Sequence, residues 1–212
     1  PDKQFNYSIR GEGVFEVCTE NLKKAVARGF NVSLIYTVSS ANIDHLELMP
    51  ALLTELGVKR FFIQVIGLRG KSAKQATGDA ESPQVDPDKW LSIVPEVAAE
   101  AASLGIKVVY PKVYLEEGEL FECAGRVAEN FFVFPNGRVY QCPICEDHPI
   151  HSYEIIDDRL EKRGGLTESN FFSLNIPEGC VMNKLLQPDG IQYREDGTPQ
   201  HRVSCCLLKQ QI

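Results

Sequence analysis

The sequence has no long hydrophobic run, no excess of basic residues and no export signal at its start. A membrane helix needs roughly 20 consecutive apolar residues, and no stretch approaches that length, so we expect no membrane span. The net charge of −7 argues against non-specific binding of nucleic acid or of acidic lipid. The lack of a secretion signal predicts a cytoplasmic protein. No Ser-His-Asp or Cys-His arrangement has a supporting local context, so a hydrolase is not indicated.

Cysteines are too few for a disulfide scaffold, and they are unevenly placed. Cys18 stands alone on the apolar stripe of a predicted helix, and we expect it in the core. A secreted protein would carry a dispersed set, so the clustering of the others favours thiolate ligation of a metal in a reducing compartment. These six fall within the last 90 residues: Cys123, Cys142, Cys145, Cys180, Cys205 and Cys206.

The first half of the chain alternates between helical and strand patterns. Strands are predicted near residues 32–38, 60–66 and 106–110, with helices before, between and after the first two. Units of about 40 residues with this alternation favour an α/β fold with parallel strands and right-handed crossovers. Three strands are too few to close a barrel, so the strands belong either to a doubly wound sheet or to an incomplete barrel.

From about residue 114 the periodic pattern ends, and short loop-rich segments follow. Apolar runs at 131–134 and 138–141 flank Asn136-Gly137, which predicts a β-hairpin. The hairpin would bring Cys123 and Cys142 to the same end of the ribbon. Cys145 lies three residues further on, and Cys180 with one of the adjacent Cys205 and Cys206 would complete four ligands. A structural zinc site and an iron–sulfur cluster both suit such a set.

Two further patterns in the chain are weaker. His148 and His151 follow Cys145 closely and are the only histidines placed to join a zinc site, although exposed loop positions are the simpler interpretation. The segment Gly67–Ser72 ends in Gly-Lys-Ser, but only two residues separate its glycines, whereas a phosphate-binding P-loop needs four. We interpret it as a loop at the carboxyl end of a strand, where α/β folds place their ligands.

The segment from Cys123 to Cys142, CAGRVAENFFVFPNGRVYQC, resembles the opening of the SPASM and twitch auxiliary domains of radical S-adenosylmethionine enzymes. Those domains begin with a cysteine, an intervening segment, a glycine, four residues and a second cysteine around a hairpin. Residues 9–16, 37–42 and 60–70 also resemble the later part of the partial barrel in that superfamily. The resemblance implies an α/β fold: an incomplete parallel β/α barrel over residues 1–113, followed by a small loop-rich auxiliary domain with cysteine ligands over 114–212.

The superfamily's CxxxCxxC signature and its first four strands are absent from this sequence. The tail also lacks the later run of closely spaced cysteines that a full SPASM domain uses for a second cluster. The resemblance therefore implies the C-terminal part of an oxidoreductase or maturase, inactive alone, with one auxiliary [4Fe–4S] cluster for electron transfer or substrate anchoring. S-adenosylmethionine would bind only in the complete enzyme, whose missing N-terminal barrel half is the expected partner. The resemblance leaves the substrate of that enzyme open between a peptide and a small molecule.

The resemblance also implies which residues hold ligands. Cys123 and Cys142 match the motif one for one, and Cys180 with either Cys205 or Cys206 is favoured over Cys145 for the remaining two positions. Cofactor-binding roles fall to Asn42, Arg69 and Lys71, the last two through a carboxylate or phosphate of the ligand. The alternative function is a non-catalytic, zinc-stabilised module for protein interaction.

Overall fold

The computed structural model describes residues 3–67, 82–127, 129–146 and 148–212. The chain divides into two compact units, one of Pro1–Pro111 with Lys209–Ile212 and the other of Lys112–Leu208. The predicted boundary at 113/114 lies two residues from this division. The last four residues differ from the prediction, because they belong to the first unit.

The first unit contains helices and one open four-stranded sheet. Its described elements are α1 Lys3–Arg10, α2 Val14–Ala27, β1 Ser33–Val38, α3 Met49–Leu56, β2 Arg60–Val65, α4 Pro87–Ser103, β3 Lys107–Pro111 and β10 Lys209–Gln211. The strand order is β1-β2-β3-β10. β1 pairs with β2 and β2 with β3 in parallel, and β10 joins the free edge of β3 in antiparallel orientation. β1, β2 and β3 thus lie within a residue or two of the predicted strands, whereas β10 was not predicted.

Local sequence explains the helix that covers this sheet. The Asp86 side chain accepts hydrogen bonds from the backbone N–H groups of Asp88 and Lys89 at 3.0 and 3.1 Å, and so caps the start of α4. Pro87 occupies the first turn, where its missing N–H costs nothing. The buried face of α4 contributes to the core of the unit, with Trp90, Val94, Val97, Ala98 and Ala101.

The N-terminal helices depart from the sequence expectation. α1 was not predicted, and α2 has no fully buried residue. The prediction that Cys18 belongs to the core is wrong: its side chain is exposed. The half-buried stripe of α2 runs through Phe15, Thr19 and Leu22 and leaves Cys18 outside it. α2 is therefore a surface helix with one shallow apolar side.

The second unit is built from short elements. They are β4 Tyr114–Leu115, β5 Phe132–Val133, β6 Arg138–Tyr140, β7 Tyr153–Ile156, β8 Arg159–Lys162, α5 Val181–Leu186 and β9 Arg202–Val203. One sheet is an antiparallel meander in the order β5-β6-β7-β8, and a second is the antiparallel pair β4–β9. Neither described sheet here is closed. No helix in the described ranges of the chain has the length and apolar content to cross a membrane.

Candidate metal centre

The β5–β6 hairpin positions Cys142. Gly137 adopts a φ of +80° in the turn, and the Asn136 side chain accepts a hydrogen bond from the Arg138 N–H at 3.0 Å. Only glycine adopts this backbone conformation without strain, which is why Asn-Gly closes the turn. Cys142 follows two residues after the end of β6 and is buried.

β9 positions two more cysteines. The Val203 N–H donates to the Glu178 carbonyl at 2.8 Å, and the Val203 carbonyl accepts from the Cys180 N–H at 3.0 Å. Cys180 is thereby fixed as the residue that precedes α5. Cys205 lies two residues after Val203, the last residue of β9. One short strand therefore holds both Cys180 and Cys205 in place.

Cys123 lies against Cys205. The Ala124 N–H donates to the Cys205 Sγ at 3.4 Å, and the Cys123 thiol donates to the same sulfur. A 3₁₀ turn over Ala124–Arg126 follows Cys123. Within this turn Gly125 packs on the Phe172 ring, where a Cβ would lie 2.7 Å from a ring carbon.

The four cysteines line one cavity within the second unit. The cavity is partly open to solvent, and Cys206 also lies on its wall. The remaining lining is mostly apolar. It comprises Phe121, Gly125, Gln141, Pro143, Phe172, Val181, Met182 and Leu207. Four segments distant in sequence thus bring their cysteines to one cavity.

Backbone amides point at each of these sulfurs. N–H groups of residues that follow each cysteine contact its sulfur: Gly125 for Cys123, Ile144 for Cys142, Met182 and Asn183 for Cys180, and Leu207 and Leu208 for Cys205. N–H groups aimed at sulfur stabilise the thiolate over the thiol. The same kind of hydrogen bond to cysteine sulfur tunes bound iron–sulfur clusters.

The thiols perturb one another strongly. The hydrogen bond from Cys123 lowers the pKa of Cys205 to about 6, and the same contact together with burial raises the pKa of Cys123. Burial raises the pKa of Cys180 to about 11. The hydrogen bond with Cys145, and then burial, raises the pKa of Cys142. Four thiolates cannot share this apolar cavity unless a positively charged centre compensates them.

The two remaining predicted ligands have different surroundings. Cys145 is fully buried and hydrogen-bonded to Cys142, but it is not part of the cavity wall. Cys206 reaches the wall, although the residue is exposed. Five of the six predicted ligands therefore meet at the cavity, and the sixth lies beside Cys142.

A single metal ion and a cluster place different demands on the spacing of the sulfurs. Among the described residues, no three His, Cys, Asp or Glu side chains are placed to ligate one ion. Two thiolates on one zinc ion lie about 3.8 Å apart, given Zn–S bonds of about 2.3 Å in a tetrahedral site. The Cys123 and Cys205 sulfurs are already in hydrogen-bond contact. The separation of this pair therefore does not favour a cluster over a single ion, and a cubane cluster would bind its thiolates through separate iron atoms.

The other residues singled out by the sequence either have a separate structural role or lie outside the described residues. The Asn42 side chain is buried and closes the turn after β1: it accepts from the Ser39 N–H at 2.7 Å and donates to the Thr37 carbonyl at 3.0 Å. Arg69 and Lys71 lie outside the described residues. His148 and His151 follow the CPIC segment but do not line the cavity.

Sequence reasoning missed Gly179 and Glu168. A Cβ on Gly179 would lie 2.3 Å from the Val203 carbonyl oxygen, so only glycine lets β9 approach Cys180. Glu168 is fully buried and bonded to the Gln141 backbone beside Cys142. The Gly-Cys pair at 179–180 was a usable signal, whereas nothing local marks Glu168 as buried.

Comparison of the chain with models of known protein families finds no match, and comparison with curated proteins likewise finds none.

Proposed function

We propose that this chain is the C-terminal part of a radical S-adenosylmethionine oxidoreductase or maturase, and that its four-cysteine centre binds one [4Fe–4S] cluster. The observation that carries the proposal is the convergence of Cys123, Cys142, Cys180 and Cys205 on one cavity, each with backbone N–H groups directed at its sulfur. The resemblance of the Cys123–Cys142 segment to SPASM and twitch domains supports the same assignment.

Electron transfer is the role that this ligand set favours. A bound [4Fe–4S] cluster supplies one-electron transfer, and four cysteine ligands leave no iron open to a substrate. The wall of the cavity is largely apolar, with Phe121, Phe172 and Met182 among its residues. Substrate anchoring would need an open coordination position, which arises only where one of the four cysteines does not ligate.

The first unit is assigned to the partial barrel of the same enzyme. Its three parallel strands and their helices match the alternation expected for a β/α barrel segment. β1 pairs only with β2 among the described strands, so its other edge is available to a further strand. We assign this edge to the N-terminal barrel half of the complete enzyme. S-adenosylmethionine binding, with any part played by Asn42, Arg69 or Lys71, belongs to that complete enzyme.

The cytoplasm is the compartment we assign. Cys123, Cys142, Cys145, Cys180 and Cys205 form no disulfide, and a reducing compartment keeps such thiols available for a metal.

Metal analysis of anaerobically purified protein tests the proposal. We expect about four iron and four sulfide per chain, with a brown colour and the broad visible absorbance of a cluster. The Cys18→Ala variant serves as the control, because Cys18 is an exposed residue of the first unit, and it should retain all the iron. Zinc without sulfide would instead support the non-catalytic interaction module and contradict the enzyme assignment.

A further inference from the structure

Glu168 is a carboxylate at zero exposure, close to the candidate cluster site. It lies in a 3₁₀ turn over Glu168–Phe171, which a reciprocal capping interaction between Thr167 and Asn170 fixes at its start. Phe172, on the cavity wall, follows directly after this turn. Burial of a carboxylate is unfavourable because of its desolvation, unless other groups compensate it.

Two neutral donors satisfy the Glu168 carboxylate. The Gln141 backbone N–H donates to Oε1 at 2.8 Å, and the Ser152 hydroxyl donates to Oε2 at 2.8 Å. Within the described residues, no lysine, arginine or histidine forms an ion pair with Glu168. Both oxygens of the Glu168 carboxylate therefore accept a hydrogen bond from a neutral donor inside the second unit.

Gln141 connects this charge to the cluster ligands. It stands between Tyr140 and Cys142, and it contributes to the cavity wall. Tyr140 is fixed on its own side, since its hydroxyl donates to the His148 carbonyl at 2.5 Å. Glu168 thus holds the backbone just before Cys142 and, through its own turn, the segment that carries Phe172. Two walls of the cavity are joined at this one carboxylate.

We propose that Glu168 is a positioning residue that fixes the Cys142 wall and lowers the reduction potential of the cluster. This inference rests on the proposed function. Reduction adds one electron to the cluster, and a buried negative charge in a low-dielectric interior opposes that addition. The Ser152 hydroxyl partly offsets the charge of Glu168, so these two residues act on the potential in opposite directions.

The Glu168→Gln variant tests the charge. Glutamine keeps the volume and an oxygen that accepts from the Gln141 N–H, but it removes the negative charge. We expect full iron content, an unchanged protease-resistance pattern and a more positive potential in a redox titration followed by electron paramagnetic resonance. Glu161→Gln is the matched control, because Glu161 is an exposed glutamate on β8. The reduction potential of the cluster in this variant should equal that of the wild type.

The Ser152→Ala variant tests the effect of the Glu168 charge by removing a hydrogen-bond donor to it. It removes a donor to Glu168 and leaves the charge less compensated, so the potential should shift to more negative values. The charge of Glu168 predicts that the reduction potential shifts in opposite directions in the two variants. A loosened structure does not predict opposite shifts. An unchanged potential in Glu168→Gln overturns the inference. If that variant holds no iron, an unchanged or more positive potential in Ser152→Ala overturns it instead. A wild-type chain that binds no cluster contradicts the proposed function itself.

Discussion

At the scale of single residues, glycines shape the candidate centre as much as cysteines do. Gly125 has ordinary backbone angles, yet a Cβ there would lie 2.7 Å from the Phe172 ring. Its N–H also contacts the sulfur of Cys123. The residue is therefore required for space and not for backbone freedom, and it couples the packing of Phe172 to the geometry of a ligand.

The Gly125→Ala variant should weaken the centre. Overpacking of this kind costs about 1–3 kcal/mol, and displacement of the Gly125 N–H removes a hydrogen bond to sulfur. We expect a lower urea midpoint and less iron per chain. Gly164→Ala is the control, since Gly164 has open space around its Cβ position and ordinary angles. Equal iron content in the two variants would argue against the steric account.

Tyr36 gives a residue-scale prediction in the first unit. Its hydroxyl donates to the Asn42 carbonyl at 2.9 Å, and burial raises the pKa of Tyr36 to about 12. The unfolded-state pKa is about 10, so the folded value is the higher of the two. The contribution of Tyr36 to the free energy of unfolding is therefore fully present below about pH 10. It is lost as the pH rises through the folded-state pKa of Tyr36.

The Tyr36→Phe variant tests this dependence. At about pH 7 it should lower the free energy of unfolding by about 1 kcal/mol, because the hydrogen bond to Asn42 is lost. Above about pH 10 the wild type loses its tyrosine contribution while the variant does not, so the difference should shrink. Urea unfolding at neutral and alkaline pH measures it, and a constant difference would contradict the burial of Tyr36.

Residue chemistry alone identifies some of these positions and not others. The Asn-Gly turn and the cysteine spacing are local patterns, and they are sufficient to indicate Cys123 and Cys142. Cys18 was misjudged because a helical apolar stripe predicts which side is inward, not how deeply a helix is covered. Glu168 could not be found, since its partners lie 27 and 16 residues away in the sequence.

At the scale of elements, β10 is the least expected feature. It consists of Lys209–Gln211 and pairs antiparallel with β3. Ile212 and Val108 exchange hydrogen bonds in both directions, at 2.9 and 3.0 Å. Because hydrogen-bonded pairs alternate along an antiparallel ladder, the Gln210 N–H donates to Tyr110 opposite it. β10 thus covers an edge of the sheet that would otherwise be open.

The Gln210→Pro variant should detach β10. Proline lacks the donor, so the expected cost is about 1–3 kcal/mol in the free energy of unfolding. Amide hydrogen exchange in β3 should become faster, and the newly opened edge should favour self-association. Gln210→Ala keeps the N–H and is the control. Slow exchange in β3 of the proline variant would show that β10 does not protect this edge.

Elements whose residues strongly favour one type of secondary structure were predictable from the sequence, and the others were not. The runs that became β1 and β2 are rich in β-branched and aromatic residues, and glycine follows the helices before them. β8 and β10 have the sequences RLEK and KQQ, which carry almost no apolar signal. Such strands form because a neighbouring strand offers hydrogen bonds, and sequence periodicity does not report that.

At the scale of the whole molecule, the two units differ in how they are held together. The first has a four-stranded sheet and a 17-residue helix with five buried residues. In the second, the longest described strands have four residues and its α-helix has six. Cys142, Cys145 and Cys180 belong to a buried cluster there with Tyr140, Phe172 and Met182. Bonds to a metal cluster would supply the constraint that such short elements lack.

The central claim is that Cys123, Cys142, Cys180 and Cys205 hold one cluster. Iron and sulfide content after anaerobic reconstitution, measured across single Cys→Ala variants, tests it most directly. We expect each of these four substitutions to abolish or severely reduce the bound iron, while Cys18→Ala, Cys145→Ala and Cys206→Ala retain it. Full iron in Cys142→Ala, or loss of iron in Cys145→Ala with retention in Cys180→Ala, would contradict the assignment.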